Sequence, residues 1–306
     1  MFDANDLAVL PVARWIQAGV EWLSYNFRPV FIAIKWPIEN GLALTDAALQ
    51  SVPFPITVLL FSAVAWKLAG RSTALFTAVS LVVIAALGVW SEAMTTLALI
   101  ATAIVVCAVI GIPVGIWSAR NDRVWNVVRP ILDIMQTTPT FVYLIPVVML
   151  FGVGTVPGEV AVIVTAVPPL IRFTNIGIRQ VDKEIVEAGH AFGADSRQLL
   201  WEIQLPLAVP TILGGLNQTV LTAMVMSVVI AMIGAEGLGL VVMQGLGRLD
   251  VGHAAIGGIA IVLLAMILDR VTQGMASRSG RPNRAAVKAG FWARLFFPHK
   301  LEEIKT

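Results

Sequence analysis

Charge is scarce in this chain. Asp, Glu, Lys and Arg make up 13% of its 306 residues, about half the share usual in a soluble domain. Cysteine occurs once, at Cys107. One thiol in an apolar run excludes an internal disulfide framework and a thiolate metal cluster. Histidine occurs three times, at His190, His253 and His299, far apart in sequence. With so few nucleophiles, bases and ligands, no catalytic constellation can be assembled, and the chain does not read as an enzyme. The dipeptide Gly-Lys is absent, so there is no phosphate-binding loop of the G-x-x-x-x-G-K-[ST] kind. The net charge of +2 gives no basic surface for nucleic acid. A cleavable signal peptide is not expected either. Met1-Phe2-Asp3-Ala4-Asn5-Asp6 is acidic, and no apolar core follows at once.

Apolar residues are plentiful: 58% of the chain, with mean hydropathy +0.84. That excess cannot be hidden in one water-soluble core, so the composition is that of a membrane protein. Runs of about 20 mostly apolar residues fall at 52–69, 72–90, 93–117, 131–153, 158–178, 207–235 and 252–273. They are continuous rather than alternating. In lipid, backbone groups are satisfied only by helices or closed barrels, so an all-α polytopic membrane protein with about seven membrane helices is expected. The fifth run is expected to break at Pro168-Pro169.

Orientation follows from the basic residues. Lys67 and Arg71, then Arg120, Arg123 and Arg129, then Arg172, Arg179, Lys183 and Arg197, fall in alternate loops or the run ends beside them, and eight more lie at the end of the seventh run or beyond it. Seventeen of the 21 Lys and Arg thus lie on one side. This places the N-terminal tail outside and the C-terminus in the cytoplasm. Three regions result: an external tail, 1–51, with short amphipathic helices; a membrane domain, 52–275; and a basic cytoplasmic tail, 276–306. Arg28, Lys35 and Glu39 leave little room for an eighth segment near 28–45. Phe291, Trp292, Phe296 and Phe297 between the basic residues of the last tail suit anionic lipid headgroups.

Few ionisable residues lie deep in the runs. Asp133 and Asp269 sit near cytoplasmic ends and Glu159 near an external end. Transport energised by an ion gradient usually needs an intramembrane charge or an unwound cation site. A passive path driven from elsewhere fits better. Gly111 and Gly115, one turn apart, can let helices approach closely. Pro113, Pro139, Pro146 and Pro210 serve packing or kinks.

The long loop 179–206 reads RQVDKEIVEAGHAFGADSRQLLWEIQLP. Its pattern gives two short helices, Val181–Ala188 with Asp182 as cap and Arg197–Gln204 capped by Asp195 or Ser196. Gly193 supplies the turn between them. Such a helix–turn–helix can transmit a push from a soluble partner, or be an ordinary surface loop.

This loop resembles the EAA loop of binding-protein-dependent ABC importer permeases. Glu187, Ala188, Gly193, Ile203, Leu205 and Pro206 fall at the spacings of that motif, and Gly189 stands where the second Ala would be. The stretches LDIMQTTPTFVYLIPVVMLFGVGTVPG, VPPLIRFTNIGIRQV, EAGHAFGADSRQLLWEIQLPLAVPTILGGLNQT and GLGRLDVGHAAIGGIAIVLLAMILDRVTQ are similar to permeases of the glycine betaine/proline betaine family, over most of 93–275. The resemblance implies a type I ABC importer transmembrane domain in the bacterial inner membrane, with core 93–275. It implies a second permease copy, two cytoplasmic ATPase subunits carrying ATP and Mg, and a periplasmic or membrane-tethered binding protein. This chain itself would hold no cofactor and hydrolyse nothing. The implied cargo is a quaternary ammonium osmolyte: glycine betaine, proline betaine, choline, carnitine or trimethylamine N-oxide. An ABC permease for another small solute, such as an amino acid, and a non-transport membrane scaffold are the competing readings. Coupling to the ATPase would fall to Glu187, Ala188, Gly189, Gly193, Ile203, Leu205 and Pro206. Candidates for the translocation path are Gln136, Phe141, Tyr143, Asn217 and Met224, which interrupt aliphatic helices with polar, aromatic or soft groups. Aromatic faces attract trimethylammonium, and helix packing explains each of the five as readily.

Overall fold

The computed structural model describes residues 11–279, and every regular element in it is helical. The basic-aromatic tail from 280 onward and the first ten residues lie outside the described residues. In chain order the helices are α1 (Val12–Asn26), α2 (Arg28–Ser51), α3 (Phe54–Ala69), α4 (Arg71–Ala86), α5 (Trp90–Arg120), α6 (Asp122–Thr137), α7 (Leu144–Phe151), α8 (Thr155–Arg179), α9 (Lys183–Ala191), α10 (Ser196–Gln198), α11 (Leu205–Val229), α12 (Leu238–Gly247) and α13 (Val251–Ser279). Four helical stretches are long and apolar enough to cross a membrane, or six spans if each of two bent pairs counts as one.

The core is built on α8, the most enclosed of the long apolar helices. Small residues let its neighbours reach it. Gly111 and Gly115 of α5 lie against Leu170 and Thr174, and Gly215 of α11 lies against Phe173. From α8 itself, Gly158 meets Ile230 and Ala235, while Gly177 meets Thr211 and Ala208. With no hydrophobic driving force between helices in lipid, close backbone approach of this kind supplies the packing energy. At the end bearing the loop 179–206, Asn175 Nδ2 donates to Ser118 Oγ at 3.0 Å and Arg179 Nη2 donates to the Ser118 carbonyl at 3.0 Å. These bonds pin the end of α8 to α5.

Several expected segments take another form. The run 131–153 is two helices at 107°, not one. Pro139 lacks the N–H needed to continue α6. The Met135 carbonyl that this leaves over accepts from the Tyr143 hydroxyl at 2.8 Å, and Thr138 Oγ1 adds a second bond to the Ile134 carbonyl at 2.7 Å. Conversely, α8 runs unbroken through Pro168 and Pro169, both buried between neighbouring helices. Residues 28–51 form one 24-residue helix, not a short surface piece. Ile38 and Leu42 are buried in the core, and α2 meets α3 at 110°. A further helix, α12, occupies what hydropathy leaves as a loop. It is too short to span, yet Gly239 seats it on the backbone of Ser227 and Gly245 on that of Ala254. The Leu238 N–H donates to Thr96 Oγ1 at 2.8 Å, fixing its start.

Candidate functional site

The loop 179–206 folds as a short helix, a turn and a rod. Asp182 caps α9, its carboxylate accepting from the Glu184 N–H at 3.0 Å. Gly193 follows with φ +84°, a left-handed conformation that a side chain resists. Asp195 then opens the second stretch in a reciprocal capping box. Its carboxylate accepts from the N–H groups of Arg197 at 2.7 Å and Gln198 at 2.8 Å, and Gln198 Oε1 accepts from the Asp195 N–H at 2.9 Å. The Gln198 and Arg197 amides hold the Asp195 carboxyl below its usual range.

The second stretch does not end at Gln204. It passes through a widened π turn, Leu199–Gln204, into α11 and on through a 3₁₀ turn, Ile230–Ile233, so that Ser196–Ile233 is one 38-residue rod. Pro206 lies just past that π turn, and its ring would crowd the carbonyl of Glu202 in a regular α-helix. Widening the turn relieves the clash and keeps the rod continuous.

Residues widely spaced in the loop meet here. Gly189 is buried, and a Cβ placed on it would lie 2.8 Å from Leu199 Cδ1 and 2.9 Å from Ile203 Cδ1. The helix α9 is thus seated directly on the start of the rod. Leu205 is half-buried beside this contact. Glu187, Ala188, Gly193 and Pro206 are exposed. So are three apolar side chains that the sequence did not single out: Ile185, Trp201 and Phe192, the last 92% exposed. A groove of about 380 Å³ separates α9 from the ends of α5 and α8, with Arg120, Lys183, Glu187 and His190 on its walls.

A second feature opens between α6, α8 and α11. It is a cleft of about 440 Å³, lined among others by Gln136, Thr165, Arg172, Phe173, Gln218 and Thr222. Arg172 pairs with Asp133 of α6, while its Nε is buried with no hydrogen-bond partner among the described residues. A larger cavity, about 610 Å³, lies between α1, α2 and α7 at the other end of the bundle and touches neither α8 nor α11.

Of the five residues proposed from sequence for a path, Gln136 lines the cleft. Phe141 is exposed on the 3₁₀ turn Thr140–Tyr143, and the Tyr143 hydroxyl is spent on the Met135 carbonyl. Asn217 faces α13, donating to Asp269 Oδ1 at 3.0 Å and accepting from Thr272. Met224 is 3% exposed within the core. Tyr143, Asn217 and Met224 are not among the residues lining the cleft, whereas Arg172, Phe173, Gln218 and Thr222 are. The signal for the last two is their i, i+4 spacing, which puts two polar side chains on one face of an otherwise apolar helix. Glu159, expected near an end, is fully enclosed in α8, and neither carboxylate oxygen has a partner among the described residues.

A family model described as the binding-protein-dependent transport system inner membrane component matches residues 111–280, a range that holds the loop, the rod and the cleft. The chain belongs to this family. It is a multi-pass inner-membrane permease subunit, and its transport system includes a separate binding protein. This permease is 49% identical over 286 residues to the glycine betaine/proline betaine transport system permease protein ProW of Escherichia coli, covering 93% of this chain and 80% of that protein. It is 42% identical over 270 residues to the glycine betaine transport system permease protein OpuAB of Bacillus subtilis, covering 87% and 94%. In fold the permease is similar to a chain of the MetNI methionine ABC transporter in an inward-facing conformation, with TM-score 0.58 and 22% identity over 63% of this chain and 96% of that one. The fold is that of a type I ABC importer permease.

Proposed function

We propose that this permease passes a betaine-like quaternary ammonium osmolyte inward, driven by ATP hydrolysed on a partner subunit. The proposed assembly holds two copies of the permease, two cytoplasmic ATPase subunits and a binding protein on the outer face. Relatives named for glycine betaine and proline betaine, at up to 49% identity over most of the chain, support the cargo. The basic residues clustered at the end with the loop 179–206 support a cytoplasmic placement for it.

One observation carries the mechanism. The rod Ser196–Ile233 holds Ile203, on which α9 is seated, and also Gln218 and Thr222 on the wall of the cleft. A displacement of α9 by the ATPase therefore moves the cleft wall without an intervening hinge. Glu187, Ala188 and Gly193 present the exposed surface of α9 and its turn to the ATPase, and the adjacent Phe192 and Ile185 offer apolar area. Gly189, Ile203, Leu205 and Pro206 act behind that surface, joining α9 to the rod. ATP binding draws the two α9 helices together and opens the path outward beneath the docked binding protein. Hydrolysis releases them and opens it inward.

Ligand binding by the cognate binding protein tests the cargo. Calorimetry is expected to show tight binding of glycine betaine or proline betaine and none of methionine. Tight binding of an amino acid, with none of any quaternary ammonium compound, would replace the cargo and leave the permease architecture in place.

A further inference from the structure

The cleft between α6, α8 and α11 is lined by one charged side chain, Arg172, whose ion-pair partner Asp133 on α6 is half exposed. Arg172 stands about two turns before the end of α8 at Arg179. Ionisable side chains inside a membrane bundle are expensive and mark a function more often than a structural need. A staple between α6 and α8 would explain the Arg172–Asp133 pair. It does not explain a guanidinium Nε left buried without a partner, an orphan that such a structure ordinarily avoids. Nor does it explain the company. Phe173 presents a partly exposed ring to the cleft, and two amides, Gln136 and Gln218, and four threonines, among them Thr222, surround Arg172 with neutral polar groups.

We infer that the cleft is a low-affinity recognition site for a zwitterion carrying a quaternary ammonium group and a carboxylate, held by exchange of the Arg172–Asp133 ion pair. This rests on the transport reading above and extends it, since recognition by a separate binding protein requires no site in the permease. In the exchange, Arg172 releases Asp133 and takes the ligand carboxylate, and its planar fork suits that group. The ammonium group then lies against Asp133 and the Phe173 face, which attracts a methylated cation. One internal ion pair is traded for two intermolecular ones, and the net charge in the cleft does not change. A cation without a carboxylate fits the same Asp133 and Phe173 but leaves Arg172, whose Nε is buried, without a carboxylate partner, which is costly. The site therefore discriminates by the carboxylate.

The test uses the permease–ATPase complex in nanodiscs without binding protein, carrying Cys107→Ser and Gln218→Cys, so that maleimide labelling reports on the cleft. Glycine betaine is expected to protect the reporter thiol at a concentration at least about tenfold lower than choline, which has the same trimethylammonium group and no carboxylate. Arg172→Gln should erase that difference, and Arg172→Lys should restore part of it. Equal protection by the two ligands, or none by either, would overturn the proposal, as would a tenfold preference that survives Arg172→Gln. If Arg172→Gln does not assemble, the two-ligand comparison in the complex with Arg172 intact decides alone. Uptake of glycine betaine by the complex with Gln218 intact, together with its binding protein, is measured in parallel. Absent uptake refutes the transport reading, whereas uptake without protection refutes the site only.

Discussion

Gly189 and Ile203, fourteen residues apart in sequence, are in contact: the space where a Gly189 side chain would begin is filled by the tip of Ile203. A glycine at this position lets α9 sit on the rod with no gap. The first prediction follows from what surrounds it. A methyl group meets only the flexible ends of Leu199 and Ile203, so Gly189→Ala is expected to keep uptake within about twofold. A larger side chain must lift α9 away, at about 1–3 kcal/mol for overpacking of this kind. Gly189→Leu is expected to leave the complex assembled but cut uptake at least about tenfold, and to abolish stimulation of the ATPase by loaded binding protein. Glu187→Lys, on the exposed face of the same helix, should weaken ATPase docking instead. Co-purification separates the two defects.

A second prediction concerns Gly193. Nothing lies within 4 Å of a Cβ placed there, so the constraint is its backbone, at φ +84°. Left-handed conformations cost about 1–2 kcal/mol for ordinary residues and least for Asn. Gly193→Asn is expected to retain most uptake. Gly193→Val should lose it, and Gly193→Asp should lose it too by adding charge at the docking face. Uptake by Gly193→Val equal to the parent would show that the turn is not needed in this form.

The helix loop could be read from the sequence because its signals are local. Asp182, Gly193 and Asp195 each act within a few residues and take the expected roles of cap, turn and cap, while the reciprocal bond from Gln198 comes from the structure. The bend after α6 and the unbroken α8 could not be read. Pro139 ends a helix that Thr138 and Tyr143 can cap, while Pro168 and Pro169 are tolerated where α8 is largely buried among its neighbours. A proline's effect here is set by its tertiary surroundings. The same holds for the cleft. Asn217 and Gln218 are adjacent and chemically alike, but about 100° of helical rotation sends the first into a network with Asp269 and Thr272 and the second to the cleft. Composition cannot tell them apart. The enclosure of Glu159 was likewise hidden, since it depends on which neighbours pack over the start of α8.

The seam between α5 and α8 gives a third prediction. A Cβ on Gly115 would stand 2.5 Å from Thr174 Cβ and 3.0 Å from the Ile171 carbonyl oxygen, and the backbone cannot move aside without separating the helices. Gly115→Val is expected to lower the melting midpoint of the purified complex by several degrees and to reduce its yield. Gly258→Ala, in a helix where nothing approaches within 4 Å, should be neutral or stabilising, as Ala exceeds Gly in helix propensity by about 1 kcal/mol. Equal melting points for the two variants would contradict the close-packed seam.

Orientation supplies a fourth prediction. The seven hydropathy runs assign 17 of 21 basic residues to the side of the 179–206 loop, so residue 5 is expected outside and residue 279 in the cytoplasm. In a Cys107→Ser background, Asn5→Cys should be labelled by an impermeant maleimide from outside, and Ser279→Cys only after the membrane is opened. Labelling of both from the same side would overturn the assignment.

The most direct test of the whole account is uptake of labelled glycine betaine into proteoliposomes holding the permease, its ATPase and its binding protein. Uptake is expected to require ATP on the side of the 179–206 loop, to survive collapse of ion gradients, to be competed by proline betaine and to disappear with Gly189→Leu. Uptake that proceeds without ATP and stops when the gradients are dissipated would contradict it.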